Sequence, residues 1–236
     1  MEASQLFRRA WLGPNPEGKG GTYAEYTFEH PVFQSPPSNL DWLTPLDPFI
    51  TDQMKPHWQE RMELWPWETF QANLETLKRE SKETGLKLPR RFAELMSSLE
   101  LQQRIPSATA CYFDLSDHLI LSPFQTGDRI IRFLNDQQAC CAWYLYFQKS
   151  SSPCVICSSS TEQSNFLDEL TNTLPLERVE VIRKATLLVA PTFDAFLYRF
   201  WLENLNWNWH WEKVVKPSPL TFPSNLFSWI KSRLRR

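Results

Sequence analysis

Three segments of the chain repeat apolar residues at the three- and four-residue spacing of an amphipathic helix. The first follows Trp65-Pro66, where proline suits a first helical turn, and it stops at Gly85. The second begins at Leu88-Pro89, and the third begins at Thr192, a good N-cap residue. The pattern therefore predicts three helices. Their apolar positions are Trp67, Phe70, Leu74 and Leu77, then Phe92, Leu95, Met96 and Leu99, and finally Phe193, Phe196, Leu197, Phe200 and Trp201.

Between the second and third helices, short apolar runs alternate with turn residues, which is typical of strands. One further short helix is predicted after Ser164, carrying Phe166, Leu167 and Leu170. Strands this close in sequence can be joined by tight turns, so the pattern favours a mainly antiparallel meander and an α+β fold. The predicted strands cover residues 110–113, 119–121, 130–134, 142–147, 154–157 and 179–189.

Residues 1–64 differ from the rest because they are rich in proline as well as aromatic residues. Proline removes a backbone donor and restricts the residue before it, so long helices and central strands are not expected here. We interpret this segment as an extended arm that packs on the domain, with a short amphipathic helix near residues 2–12. The predicted organisation is this arm, an α+β domain over 65–205, and a Trp-rich segment with a basic tail over 206–236.

Charge narrows the classes of partner. The 25 basic and 27 acidic residues leave a net charge of −2 and are spread along the 236-residue chain, so no general field draws it to nucleic acid. The first residues contain no apolar run of signal-peptide length, and no uninterrupted apolar run reaches the roughly 18 residues of a membrane span. We expect a protein without a transmembrane segment that works in the cytoplasm.

Five cysteines are the only metal ligands with a suggestive spacing. Cys154 and Cys157 have the spacing of half a zinc knuckle, and Cys140-Cys141 lies upstream. Residues three apart in a strand point to opposite faces, however, and no histidine or second CxxC stands nearby. Buried, reduced thiols are therefore favoured over a zinc site or a thioredoxin-like redox motif. No metal and no cofactor is predicted.

Catalytic signals are weak in this sequence. The four histidines, His30, His57, His118 and His210, lie far apart, and no nucleophile elbow, HExxH, P-loop or GxGxxG is present. An enzyme assembled from distant segments stays open as an alternative. Its candidate residues are Asp114, Asp117, His118 and Asp128, which would have to meet at one end of the sheet.

The C-terminal segment carries the candidate binding residues. Trp207, Trp209 and Trp211 alternate with polar residues, and this period of two would place three indoles on one side of a strand. Such a strand either covers the core or forms a ridge that binds a partner, since Trp is enriched at interface hot spots. The basic end over 226–236 is interpreted as an amphipathic helix, either solvated or docked on anionic lipid.

Several short motifs follow one another along the chain. They are Leu88-Pro89-x-x-Phe92, Pro123-Phe124, Gly127-Asp128 with Phe133, the strand Trp143-Tyr144-Leu145-Tyr146, and Thr192-Phe193-x-x-Phe196-Leu197. In this order they resemble the SUKH superfamily, which includes the fungal Smi/Knr cell-wall regulators and many bacterial immunity proteins. The similarity covers roughly residues 65–205, and residues 99–106 stand where that family usually has Asn-Gly after its LP helix.

This resemblance implies helices packed on a curved, mostly antiparallel sheet that is closed by a C-terminal helix. It also implies that the chain has no enzymatic activity and binds a partner protein, which for a bacterial member is typically a toxin. The leading hypothesis is thus a binding module, either an immunity protein or a regulatory protein. A hydrolase-like enzyme and a peripheral membrane adaptor are the alternatives.

Overall fold

The structure is a computed structural model that describes residues 2–15, 21–29, 36–37, 39–64, 66–149, 151–159, 167 and 175–215. The side chains of Met62, Leu64 and residues 207–215 lie outside this description. The helices are α1 (Ala3–Leu6), α2 (Pro48–Leu64), α3 (Trp67–Glu83), α4 (Arg90–Met96), α5 (Leu99–Gln102), α6 (Leu176–Ala185) and α7 (Phe193–Val215). The strands are β1 (Arg8–Arg9), β2 (Trp11–Pro14), β3 (Tyr23–Tyr26), β4 (Tyr112–Phe113), β5 (Ile120–Leu121), β6 (Arg129–Asn135), β7 (Cys141–Phe147), β8 (Cys154–Ser159) and β9 (Thr186–Ala190).

A mixed sheet organises the fold, in the order β1-β9-β8-β7-β6-β4, with β5 also paired to β6. Every pairing in it is antiparallel except that of β1 with β9. The hairpin of β2 and β3 forms a separate small sheet. The predicted α+β fold with a mostly antiparallel sheet and a C-terminal helix is therefore confirmed.

Both faces of the sheet are covered, as β7 shows most clearly. Trp143 and Leu145 point into the larger core cluster, whereas Tyr144 and Tyr146 point into a second cluster on the opposite face. All seven residues of β7 are buried. Because side chains alternate along a strand, a strand with apolar residues at every position requires cover on both faces. Helices α3, α4 and α7 supply residues to the larger cluster, and α1 and α6 supply residues to the smaller one.

The aromatic stripe of α7 forms the centre of the larger cluster. Phe196 is completely buried, and its ring centroid lies 5.4 Å from that of Phe133 on β6 and 5.6 Å from that of Phe200. The Trp143 ring of β7 lies 6.4 Å away. These separations are in the range of favourable aromatic pairs, which add to the burial of large apolar areas. The predicted helix that begins after Thr192 is confirmed.

The N-terminal residues contribute to both sheet and core. Strand β1 adds to the edge of the main sheet, and Trp11 packs on Phe196 with ring centroids 5.6 Å apart. Arg199 on α7 ties down the adjacent hairpin, since its Nη1 donates to the carbonyl oxygens of Thr27 and Phe28 at 2.9 Å. The Trp11 ring also lies 4.5 Å from the Arg199 guanidinium carbon, at cation–π distance. The predicted domain boundaries stay a prediction.

The expectation that the proline-rich N-terminal segment contains no long helix is wrong. Helix α2 has 17 residues, with Pro48 at its first position and Pro56 inside it. An interior proline costs about 3 kcal/mol in a helix. Ile50 and Met54 lie one turn apart on α2 and are both buried, so tertiary packing outweighs the unfavourable propensity. The short helix expected near residues 2–12 is confined to α1, and strands follow it.

Two further boundaries differ from the prediction. Residues 179–189 are not one strand, because α6 occupies the first part and β9 begins only at Thr186. Acidic Glu177 in the first turn and basic residues in the last turn complement the α6 dipole. The second predicted helix divides into α4 and α5, where the Ser98 side chain caps α5 by accepting from the Leu101 N–H. The helix expected after Ser164 lies outside the described residues, except for buried Leu167.

We expect Phe196→Ala to lower the free energy of unfolding by about 3–5 kcal/mol, because it leaves a cavity among four aromatic rings. Chemical denaturation monitored by circular dichroism measures this loss. Leu121→Ala is the matched control, since that side chain is 43% exposed and its removal should change stability by less than about 0.5 kcal/mol. Similar losses in the two variants would contradict the central position of the α7 stripe.

Candidate functional site

The acidic residues considered for catalysis do not meet. Asp114 forms an ion pair with Arg132 at 2.9 Å and accepts a hydrogen bond from the Asn135 amide at 3.0 Å. Asp128 instead accepts a hydrogen bond from the Tyr146 hydroxyl at 2.6 Å. Both carboxylates are buried, and these bonds offset the cost of removing them from water. The prediction of one polar cluster at an end of the sheet has no support in these contacts.

His118 joins two elements at the surface, and its neighbour Asp117 is also exposed. The His118 Nδ1 lies 2.7 Å from Glu80 Oε1, and Glu80 Oε2 accepts from the Leu119 N–H at 2.8 Å. The hydrogen bond to Glu80 raises the pKa of His118 above its ordinary value, with further contributions from the charges of Asp117 and Glu80. Glu80 thus fastens the segment before β5 to α3.

The CxxC spacing gives two buried thiols on opposite faces of β8. Cys157 belongs to the larger core cluster and Cys154 to the smaller one, as the strand geometry predicted. The Cys157 thiol is a hydrogen-bond neighbour of Cys141, and burial raises the pKa of Cys154 to about 12. Among the described residues, no group of three or more His, Cys, Asp or Glu side chains is arranged to hold a metal ion.

The segment of Trp207, Trp209 and Trp211 is helical, since α7 extends to Val215. The prediction of an extended strand is therefore wrong. Neighbours on a helix face are three or four residues apart, so positions 207 and 211 share one side of α7 and position 209 does not. The prediction that these residues bind a partner remains, because their side chains lie outside the described part.

His30 and the basic end over residues 226–236 lie outside the residues that the structure describes. His210 lies in α7, but its side chain is likewise not described. None of the helices among the described residues has both the length and the apolar character needed to cross a bilayer.

A cavity of about 240 Å³ opens between α2, α5 and the chain that leads into β4. Helix α2 forms one wall, where helical spacing brings Met54, Trp58 and Arg61 to the same side. The Arg61 Nε donates to the Phe113 carbonyl at 2.9 Å, which fixes α2 against β4. The sequence did not predict this site, because the prolines at positions 48 and 56 argued against a helix in this segment.

The opposite wall of the cavity is held by short-range and long-range hydrogen bonds. In α5, the buried Gln102 amide donates to the Leu95 carbonyl at 3.3 Å. In the loop before β4, the Cys111 N–H donates to Ser107 Oγ at 2.8 Å. The Asn204 amide oxygen of α7 accepts from the Ala108 N–H at 2.7 Å. Helix α7 therefore fixes the loop as well as lining the cavity through Phe200.

Several ionisable groups of the cavity are engaged within the chain. Burial lowers the pKa of Arg61, although the charges of Asp114 and Tyr112 oppose the shift. Glu60 Oε2 accepts from the Gln137 amide at 3.3 Å. Burial also raises the pKa of Cys111 to about 12, so its thiol is protonated and a poor nucleophile at neutral pH. This arrangement is suited to binding a guest by shape and hydrogen bonds.

No family model, no curated protein and no solved structure matches this chain.

The contact between His118 and Glu80 predicts a pH-dependent stability. Because the folded-state pKa of His118 is raised, its contribution is complete below the unfolded value of about 6.5 and is lost as the pH rises through the folded value. We therefore expect wild type to be more stable than His118→Gln near pH 6, with the difference shrinking by pH 9. Urea unfolding at several pH values measures it. A difference that does not change with pH would contradict the proposed charged contact.

Proposed function

We propose that this chain is a non-enzymatic protein-binding module of the SUKH type that binds and blocks a partner protein, with a toxin as one class of partner. The observation that carries the proposal is the engagement of its ionisable groups. Asp114, Asp128 and His118 each contact a different structural partner. In the cavity beside α2, Arg61 and Glu60 are hydrogen bonded within the chain, and burial raises the pKa of the Cys111 thiol, which makes it a poor nucleophile.

The residues that carry the resemblance have defined structural roles, which supports the proposal. Phe92 of the LP motif is completely buried and packs on Phe193, with ring centroids 5.2 Å apart. Gly127 has a φ of 90°, a left-handed conformation that favours glycine, and Asp128 beside it binds Tyr146. Thr192 caps α7 by accepting from the Ala195 N–H at 3.1 Å.

We place the partner-binding surface on one side of the molecule, along the cavity and the C-terminal half of α7. Phe200 lines the cavity, and position 207 follows it by two helical turns, about 10 Å along the axis. Residues 99–106, where the chain departs from the usual family pattern, supply a cavity wall through Leu99, Gln102 and Gln103. A surface built from such residues supports recognition of a partner specific to this protein.

We also propose a cytoplasmic location. All five cysteines are free thiols, and Cys141 and Cys157 are hydrogen-bond neighbours that are not joined by a disulfide. Free thiols in contact are expected in a reducing compartment.

Affinity capture with matched baits tests the proposed function. Wild-type protein used as bait in a lysate of its native host should recover a protein in stoichiometric amount. Trp207→Ala and Trp211→Ala should each weaken that complex by about 2 kcal/mol or more if both are hot spots. Trp209→Ala is the matched control because position 209 lies on another side of α7, and we expect it to have a smaller effect.

The free energy of unfolding of each variant must be measured in parallel. If Trp207→Ala and Trp211→Ala destabilise the fold as much as they weaken the complex, these residues belong to the core and are not partner contacts. A wild-type bait that recovers no stoichiometric protein, in a monomer that hydrolyses a small-molecule substrate, would contradict the proposed function itself.

A further inference from the structure

The cavity beside α2 has the size of one large side chain. Its volume of about 240 Å³ lies below the roughly 300–1,000 Å³ of pockets that hold drug-sized ligands and cofactors. For comparison, an engineered apolar protein cavity of about 150 Å³ binds benzene. A phenol or indole ring with its connecting carbon therefore suits the space, whereas a nucleotide does not.

The inner lining of the cavity is apolar. The buried apolar lining residues come from α2, the loop before β4, the two strands β4 and β6, and α7: Met54, Ile105, Phe113, Leu134 and Phe200. Trp58 and Tyr112 are half-buried and add aromatic surface nearer the solvent. A ring inserted here leaves water and contacts this buried lining, and burial of apolar area is the main source of affinity at interface anchors.

The outer lining is polar, and it supplies hydrogen-bond acceptors. Three exposed residues lie at the solvent side: His57, Glu60 and Gln137. Glu60 supplies carboxylate oxygens, and Gln137 supplies an amide oxygen. Such oxygens accept from a phenol O–H or an indole N–H. A guest with an apolar body and a polar edge matches both parts of the lining.

Charge favours a neutral guest. Among the described lining residues, Glu60 and Arg61 carry opposite formal charges that cancel, with His57 counted as neutral. Glu60 is hydrogen bonded to Gln137, and Arg61 is hydrogen bonded to the Phe113 carbonyl. A charged ring would lose its hydration on entering the apolar part without gaining an opposite net charge.

We propose that this cavity is the anchor pocket of the partner-binding surface and that it receives an uncharged aromatic side chain with a polar edge, tyrosine or tryptophan, from the partner protein. This inference rests on the proposed protein-binding function and names the group that the partner inserts.

Small probes test the pocket on the full chain without any partner. The probes are p-cresol and 3-methylindole, which reproduce the tyrosine and tryptophan side chains, with toluene, benzoate and benzylamine as comparisons. Titrations followed by two-dimensional NMR should shift backbone amide signals of α2 and α5. We expect dissociation constants of about 1 mM or tighter for at least one polar neutral probe. Benzoate and benzylamine should bind about tenfold more weakly because their charges must be desolvated.

Variants locate the binding within the cavity. Gln103→Trp places a bulky ring in the cavity wall and should abolish the shifts, whereas Gln137→Ala should reduce the preference for p-cresol over toluene. Gln53→Ala, an exposed position on α2 outside the cavity, is the matched control and should bind the probes like wild type. The inference is overturned if neither neutral polar probe binds, if charged probes bind equally well, or if Gln103→Trp binds the probes unchanged.

The outcomes separate this inference from the proposed function. If a partner is captured but the probes do not bind, the anchor pocket is wrong and the protein-binding function stands. If the probes bind but saturating probe leaves the affinity for the captured partner unchanged, the pocket is not the anchor of that interface, which also overturns the inference. Probe binding that competes with the partner supports both.

Discussion

The aromatic packing between α7 and the sheet is the contact on which the rest of the structure depends. Phe196 meets rings from β6, β7 and the N-terminal hairpin, so a single helix position connects three separate parts of the chain. Arg199, one turn later, adds hydrogen bonds to the hairpin, and Asn204 holds the loop before β4. Large rings in a dry interior cannot be exchanged for smaller groups without leaving cavities, so this side of the fold has little freedom to rearrange.

The packing of α7 in the core also fixes one wall of the candidate binding surface. Phe200 continues the buried stripe of α7 and also lines the cavity, so the proposed anchor pocket and the core share a wall. Arg61 fixes the α2 wall through the Phe113 carbonyl, and its guanidinium carbon lies 5.0 Å from the centroid of the Phe70 ring. A pocket formed before the partner arrives avoids much of the entropy cost of ordering side chains during association. Preorganised shape, more than reactive groups, is what the proposed function requires.

The sequence predicts those parts of the fold that are specified locally. The stripe from Phe193 to Trp201 has the three- and four-residue spacing of a helix, and β7 is apolar at every position; both elements are confirmed. The helix around Pro56 was missed because tertiary burial of Ile50 and Met54 outweighs local propensity.

The alternation at Trp207 to Trp211 suggested a strand, but these residues belong to α7, which begins at Phe193. The cavity has no local signal, because its walls come from distant segments. Hydrogen–deuterium exchange of the chain with and without its captured partner tests the central claim most directly. It should show increased protection in α2, α5 and the C-terminal half of α7; protection confined to the β2–β3 hairpin or to α6 would contradict it.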